Sequence, residues 1–493
     1  TLTMVKTKKL MALAAVGALT LAACGSDDDS SSGDTTSSET TTPTETDATD
    51  STDATDSTEA PDSTDATDST EAPDSTDATD GGASGAEYVV DPENCDDPDA
   101  ATAPIEGGLK IGTSIPLSGG PAVLFAPFGD GQQSYIDWYN DTNGGLDGEP
   151  VELVIKDDQY TPDLTKANVD ELVFDDEVDL LAGIIGSGSN LAIQADLNAL
   201  CVPQLWASTG ASDWGNIDEY PWTTGLLVSY AVESRVWADY IAQEVGDGAT
   251  AALFYVNNEF GQSYADNFKE LAVEGGIEII AEEVIDPADS GAPSGQMTNL
   301  VQADPDAILA VGLGAQSSAF MTELGNAKAA NPDFDPLVYM TATAANPLFF
   351  GALVENGGSD GVFTTSNVKF VDDEQFADDE AVQTYLEAMA TYAPDADPAD
   401  TSVLAGWLSM QLAVYVAEQA LAAGDFSQAG IMNAARNIDF VPGLLIDGIT
   451  ASMNADDAFY AEATQLVRWD DAAGSFVVAG DPVDYNGSLG VYT

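Results

Sequence analysis

Gly186-Ser187-Gly188-Ser189-Asn190 is the stretch of this sequence best suited to receive an anion. It falls between an apolar run and a helical pattern. Its glycines let the backbone approach a guest, a helix opening there presents free N–H groups at its positive end, and Ser187 adds a hydroxyl donor. Ser189 or Asn190 would also cap such a helix, and the two roles are compatible. A second turn, Gly312-Leu313-Gly314-Ala315-Gln316-Ser317, follows a strand pattern and opens another helix. It is one glycine short of a dinucleotide fingerprint and lacks the acidic strand end, which sets nucleotide binding aside. Gln316 is a candidate amide contact at the mouth of that strand.

The missing residues are as informative. With 12 basic residues, 85 acidic ones and no histidine, the formal charge is −73. Without histidine there is no Ser–His or Cys–His nucleophile pair, no imidazole acid–base group and no His-based zinc site. Carboxylate chemistry stays open, yet clusters such as Asp372-Asp373-Glu374 and Asp378-Asp379-Glu380 read more simply as solvated surface than as a calcium site. No catalytic residue, metal or cofactor is expected. So negative a surface repels nucleic acid and anionic lipid and suits salty surroundings.

The elements that must position these residues begin at 109. Strand patterns at 109–115, 151–156, 178–185 and 202–207 alternate with helical periodicity at 130–140, 164–174 and 190–200. After a long helix at 228–245 the alternation resumes with strands at 251–256, 277–285, 307–311 and 337–340 and helices at 261–275, 297–302 and 319–329. Such alternation predicts parallel, doubly wound sheets with helices on both faces. Two blocks in series make an α/β protein of two doubly wound lobes with a hinge and a cleft between them. The first lobe is expected at 109–228, completed by about 363–440, and the second at 229–362, completed by 441–493. Amphipathic helices at 379–391 and 402–423 and strands at 444–454 and 465–478 supply the returning segments.

Upstream the texture is different. Residues 1–24 have the parts of a secretory signal: Lys6, Lys8 and Lys9, an apolar run at 10–23, and small residues at its end. That run is too short to cross a bilayer. Leu21-Ala22-Ala23-Cys24-Gly25 resembles the lipobox of bacterial lipoproteins, in which the cysteine is acylated and anchors the mature chain to the membrane. Residues 25–86 repeat a Ser/Thr/Asp-rich unit of twelve residues that has no apolar face, so a disordered, self-repelling tether is expected. A flexible chain of that length reaches on the order of 45 Å. Residues 87–108 lead into the first lobe. With Cys24 assigned to lipid, Cys95 and Cys201 remain as an even pair in an oxidising compartment, where a disulfide is favoured over two buried thiols.

Several stretches together resemble one family, the periplasmic-type solute-binding proteins of the branched-chain amino acid class, which serve ABC importers. Leu109-Lys110-Ile111-Gly112-Thr113-Ser114-Ile115-Pro116-Leu117-Ser118-Gly119 resembles the opening strand and turn. Asp137-Trp138-Tyr139-Asn140 with Gly144-Gly145-Leu146 resembles the end of the first helix. Asp157-Asp158, the loop from Gly183 to Asn190, and the segment from Asn257 to Gly261 match further motifs in the same order. The resemblance covers roughly residues 107–480 and implies a type I periplasmic-binding-protein fold.

It also implies a site. Ser187 and Gly188 would meet a ligand carboxylate, joined by Ser208 and Thr209 from Ala207-Ser208-Thr209-Gly210. Phe260 stands where the family usually has a tyrosine against the ligand, and Phe125, Leu124 or Phe128 would form the opposite wall. Members that bind amino acids place an acid after the strand at 338–340, whereas this chain reads Thr341-Ala342-Thr343-Ala344-Ala345. An ammonium buried without a partner costs several kcal/mol. Either the ligand lacks an ammonium, or an acid such as Asp130 or Glu259 takes over. The resemblance thus implies a monomeric, non-enzymatic receptor on the outer face of a bacterial cytoplasmic membrane. It would pass a small molecule (an amino acid or a related amide or carboxylate) to an ABC permease by clamshell closure. A surface sensor without transport and a carboxylate-dependent hydrolase are the rival readings.

Overall fold

Continuous apolar runs and helix caps set both halves of the molecule. The computed structural model describes residues 87–289, 291–353 and 358–485. The expected signal, the lipid-bearing Cys24 and the acidic tether lie outside the described residues.

A short helix, α1 (Pro98–Thr102), precedes the first sheet. That sheet holds β1 (Lys110–Ile115), β2 (Glu152–Asp157), β3 (Leu180–Ala182), β4 (Gln204–Ala207) and β5 (Thr223–Gly225). Its strands are all parallel, in the order β2-β1-β3-β4-β5. The helices α2 (Ala122–Asn143), α3 (Pro162–Phe174) and α4 (Ser187–Leu200) connect them.

The second lobe runs through α5 (Tyr230–Glu244), β6 (Thr250–Val256), α6 (Glu259–Glu274), β7 (Glu278–Ile285) and α7 (Ser294–Ala303). It continues with β8 (Ala307–Val311), α8 (Ala315–Ala330), β9 (Leu337–Met340), α9 (Pro347–Gly351) and β10 (Phe363–Ser366). Its parallel strands follow the same plan, β7-β6-β8-β9-β10. Every residue of β8 is buried, as a central strand covered on both faces must be. The edge strand β7 alternates exposed and half-buried residues and carries three glutamates, which discourages edge pairing.

The chain then returns through α10 (Glu380–Tyr392), α11 (Thr401–Ala423) and α12 (Gln428–Arg436), which join the first lobe's core. A two-stranded pair, β11 (Asp439–Phe440) and β12 (Ala451–Ser452), follows. Then β13 (Ala463–Asp470) and β14 (Ser475–Val478) add antiparallel strands beyond β10, with β15 (Val483–Asp484) pairing to β13. The helices α2 and α11 cross closely because glycine lies on each side. A Cβ on Gly131 would sit 1.9 Å from the Val403 carbonyl oxygen, and one on Gly406 would sit 2.0 Å from that of Phe128. No helix among the described residues is long and apolar enough to cross a membrane.

The lead-in is strapped to the first lobe. Cys95 is joined to Cys201, closing a loop of 106 residues. The Tyr88 and Val90 amides donate to the side chains of Asn437 and Asn433 on and beside α12.

The structure corrects several sequence expectations. The helix expected from 130 begins at Ala122 and runs through Pro127. The missing proline N–H lies near the helix start, and the added turns bury Leu124 and Phe128. Strand β10, at the start of the segment assigned to completing the first lobe, belongs to the second sheet. The strand expected at 444–454 is mostly an irregular crossover, broken by Pro442-Gly443 and Asp447-Gly448, in which Leu445 bridges to Val368. Asp373 caps a short turn, and Asp379 caps α10 and pairs with the buried Lys369 ammonium at 2.7 Å. Among the described residues no cluster suited to a metal ion occurs.

Candidate functional site

In a doubly wound sheet the loops at the carboxyl ends part where the strand order reverses, and a crevice opens there. Here the first sheet reverses between β1 and β3 and the second between β6 and β8. Loops from both carboxyl edges meet around a cavity of about 120 Å³. At about 30 Å³ per water that is room for about four waters, or one small organic molecule in their place.

The first lobe supplies an aromatic wall. Phe125 and Tyr160 stack with ring centroids 5.6 Å apart, and both line the cavity beside Phe128. Tyr160 and the preceding Gln159 have positive φ, of 61° and 53°, which is uncommon for residues with a side chain. The buried Asp158 carboxylate holds this turn. It accepts from the Tyr160 N–H at 2.9 Å, the Ser114 hydroxyl at 3.0 Å and the Thr165 hydroxyl at 3.1 Å. Asp157 accepts from the amides of Leu117 and Ser118, fixing the neighbouring Pro-Leu-Ser-Gly turn. Gly186 must be glycine, since its φ is 101° and a Cβ would lie 2.9 Å from the Tyr160 ring.

Ser187 and Thr209 are brought together, but to each other. Their hydroxyls lie 2.7 Å apart, and Thr209 continues to the Tyr230 hydroxyl at 3.0 Å. Both are buried behind the wall, while Gly186 and Ser208 from the same two loops face the cavity. Helix α4 begins at Ser187 with no side-chain cap, leaving its first N–H groups to a guest or to water. Gly188 meets the opposite lobe instead: the Glu259 Oε2 lies 2.9 Å from where its Cβ would be. Gln316 does not line the cavity. Its amide accepts from the Leu313 N–H and donates to carbonyls of the loop after β7, which is a bracing role.

The second lobe closes the cavity with Phe260, which packs edge-on to Tyr230 at 5.8 Å. Its polar feature went unnoticed in the sequence. Glu233, on the first turn of α5, lines the cavity and is the one acidic or basic side chain to do so among the described residues. The Tyr264 hydroxyl donates to its Oε1 at 2.6 Å. The Ala342 N–H and the Thr365 hydroxyl donate to its Oε2 at 3.0 and 3.1 Å. Burial pushes the carboxyl up to about 7, against the pull of those three donors. Asp130 and Glu259, the acids expected to serve here, are both exposed and outside the lining. The sequence clue was the Tyr230/Glu233 spacing, three residues apart on one helix face.

This arrangement can enclose and orient a solute.

The periplasmic binding protein family matches residues 108–474. A substrate-binding protein of Halobacterium salinarum named for a chemotactic signal transduction system, BasB, is 27% identical over 223 residues, 44% of this chain and 52% of that protein. The chain therefore spans about half the length of this curated relative. Among solved structures, a branched-chain amino acid ABC transporter protein from Thermus thermophilus with bound valine superposes with a TM-score of 0.67 at 16% identity, covering 77% of this chain and 97% of that one. A fatty acid ABC transporter substrate-binding protein from Thermomonospora curvata gives 0.66 at 19%, covering 78% and 94%. These structural likenesses establish the fold, while the family match extends over most of the sequence. This chain belongs to the periplasmic binding protein family and has its type I, two-lobed fold.

Proposed function

We propose that this protein is an extracytoplasmic receptor that captures a small solute (an amino acid or a related amide or carboxylate) and presents it to an ABC permease by closing its two lobes. The observation that carries this reading is the cavity at the paired switch points, lined by residues of both lobes. Connections at 226–229 and 366–369 cross beside it, where a few dihedral changes would swing one lobe against the other. A solute touching both rims favours the closed state by its differential affinity alone. In this reading Cys24 carries the lipid, residues 25–86 act as the leash, and the receptor works as a monomer without binding nucleic acid.

Thermal unfolding against a panel of amino acids, amides and small carboxylates tests the reading. A true ligand at 100 times its dissociation constant should add about 2.7 kcal/mol of stability. Small-angle scattering should show contraction with the same ligand, and chromatography should recover it unchanged. Conversion of the ligand would point to an enzyme instead.

A second reading has its own support. The similarity to BasB favours a sensor that hands its closed form to a signalling partner rather than to a permease. Uptake of labelled ligand by cells with and without the receptor separates the two.

A further inference from the structure

We propose that the buried Lys369 ammonium anchors the hinge, confining the bend of one interlobe crossover to Ser366–Val368, on the wall of the cavity. That anchor has a task only if the lobes close on a solute as proposed above, and it fixes where one crossover turns when they do.

Lys369 is the one buried lysine among the described residues. Burying an ammonium is costly unless each of its donors finds an acceptor. Here all three do: Asp379 at 2.7 Å, Asp447 at 3.0 Å and the Gly443 carbonyl at 2.9 Å. Each of these partners belongs to the first lobe. Asp379 caps α10 by accepting from the Ala381 and Val382 amides, and Val382 lies in that lobe's core. Gly443 and Asp447 bracket Leu444 and Leu445, which are buried in the same core.

Backbone bonds continue the hold. The Lys369 N–H donates to the Leu444 carbonyl, and the Ile446 N–H donates to the Asn367 carbonyl, both at 2.9 Å. On the other side Ser366 ends β10 and pairs with Gln465 in the second lobe's sheet. The chain is therefore fixed to the second lobe through Ser366 and to the first from Lys369 onward. Only the few dihedrals between them are left to absorb a rotation of the lobes. Asn367 and Val368 line the cavity, so this bend sits against the solute space. With so short a pivot the lobes follow one arc. Without the ammonium the crossover gives way toward Asp379, and the arc widens. Because Lys369 is buried, its pair with Asp379 is screened by salt far less than a surface pair, which suits salty surroundings.

Pulsed electron resonance on the full chain, without solute, tests this through one nitroxide on each lobe. The labels go on Gln133→Cys and Asn299→Cys, at exposed positions of α2 and α7. Cys24→Ser leaves those two thiols as the labelling sites, since Cys95 and Cys201 are paired. Lys369→Met should shift the mean interlobe distance outward and roughly double the width of its distribution. Asp379→Asn should broaden it less, because asparagine still caps α10 but offers the ammonium no charge. Lys328→Met breaks a pair with Asp335 inside the second lobe and should leave the distribution as in wild type. A folded Lys369→Met variant with lowered stability but a wild-type distribution marks a merely structural pair and overturns the proposal. Equal broadening by Lys328→Met overturns it too. If Lys369→Met failed to fold, Asp379→Asn would decide by the same criterion. The receptor reading is tested apart, by adding the panel of amino acids, amides and small carboxylates to wild type. If none narrows the distribution while the Lys369 and Asp379 variants broaden it, the receptor reading falls and the anchor stands. If a solute narrows it and those variants change nothing, the anchor falls and the receptor reading survives.

Discussion

The two lobes share one strand order and each buries a carboxylate held by three donors, yet the two acids do opposite things. Asp158 in the first lobe is wholly enclosed and points its donors' strength inward, holding the Gln159–Tyr160 turn. Glu233 in the second lobe has the same bonding but one side open to the cavity. Burial and hydrogen bonding therefore do not by themselves mark a functional acid. What separates the two is that only Glu233 lines the cavity. Topology decides where the crevice opens, and the loop chemistry of each rim decides what it reads.

That contrast can be broken or sharpened experimentally. The largest effect is expected from Asp158→Ala, which strands three buried donors and frees a strained turn. It should lower stability by about 4 kcal/mol in denaturant unfolding. A loss confined to ligand affinity would erase the contrast.

Next is the pH dependence of Glu233. Burial raises its folded value from 4.5 to about 7, so between those pH values the folded state keeps a proton that the unfolded chain has released. The stability of the ligand-free protein should then fall as pH rises through that window, by about 3 kcal/mol at most. Glu233→Gln should flatten the slope. The wild-type minus variant difference is the quantity to measure, because other raised acids such as Asp158 and Asp400 cancel in it.

A smaller effect is expected where the rims meet. Gly188→Asp sets a like charge against Glu259 and should shift the lobes toward the open state, weakening a ligand by about 1–2 kcal/mol, roughly tenfold. Small-angle scattering of the ligand-free variant should show a larger radius of gyration. Smallest of all is Ser187→Ala. Because that hydroxyl bonds Thr209 rather than facing the cavity, about 1 kcal/mol or roughly fivefold in affinity is expected. A hundredfold loss by calorimetry would place Ser187 on the ligand after all.

Much of this fold could be read from the chain, because its central strands are apolar runs and several helices, α5, α6 and α10 to α12 among them, start at a capping side chain. The parallel sheets, the two lobes and the loops at Gly186 and Ser208 followed from local pattern. Phe125 and Phe260 were also placed on walls that the structure brings together. What escaped was set by distance rather than by type. β10 is four residues long and resembles any short Thr-rich segment until Tyr339 is seen beside Phe363. Gln316 has the chemistry of a ligand contact, and only the fold shows that the Asp286–Asp289 loop occupies its amide. Glu233 was hidden for the same reason. The acid that lines the cavity comes from α5, not from the 341–345 segment it bonds.

The strap at the start of the described chain has a mechanical consequence. Cys95–Cys201 and the Asn433 and Asn437 clasps all hold the lead-in to the first lobe. A pull arriving from upstream of Glu87 therefore enters the fold at that lobe rather than at the crossovers. The first lobe is thus the one that any upstream chain holds directly, and the second hangs from it.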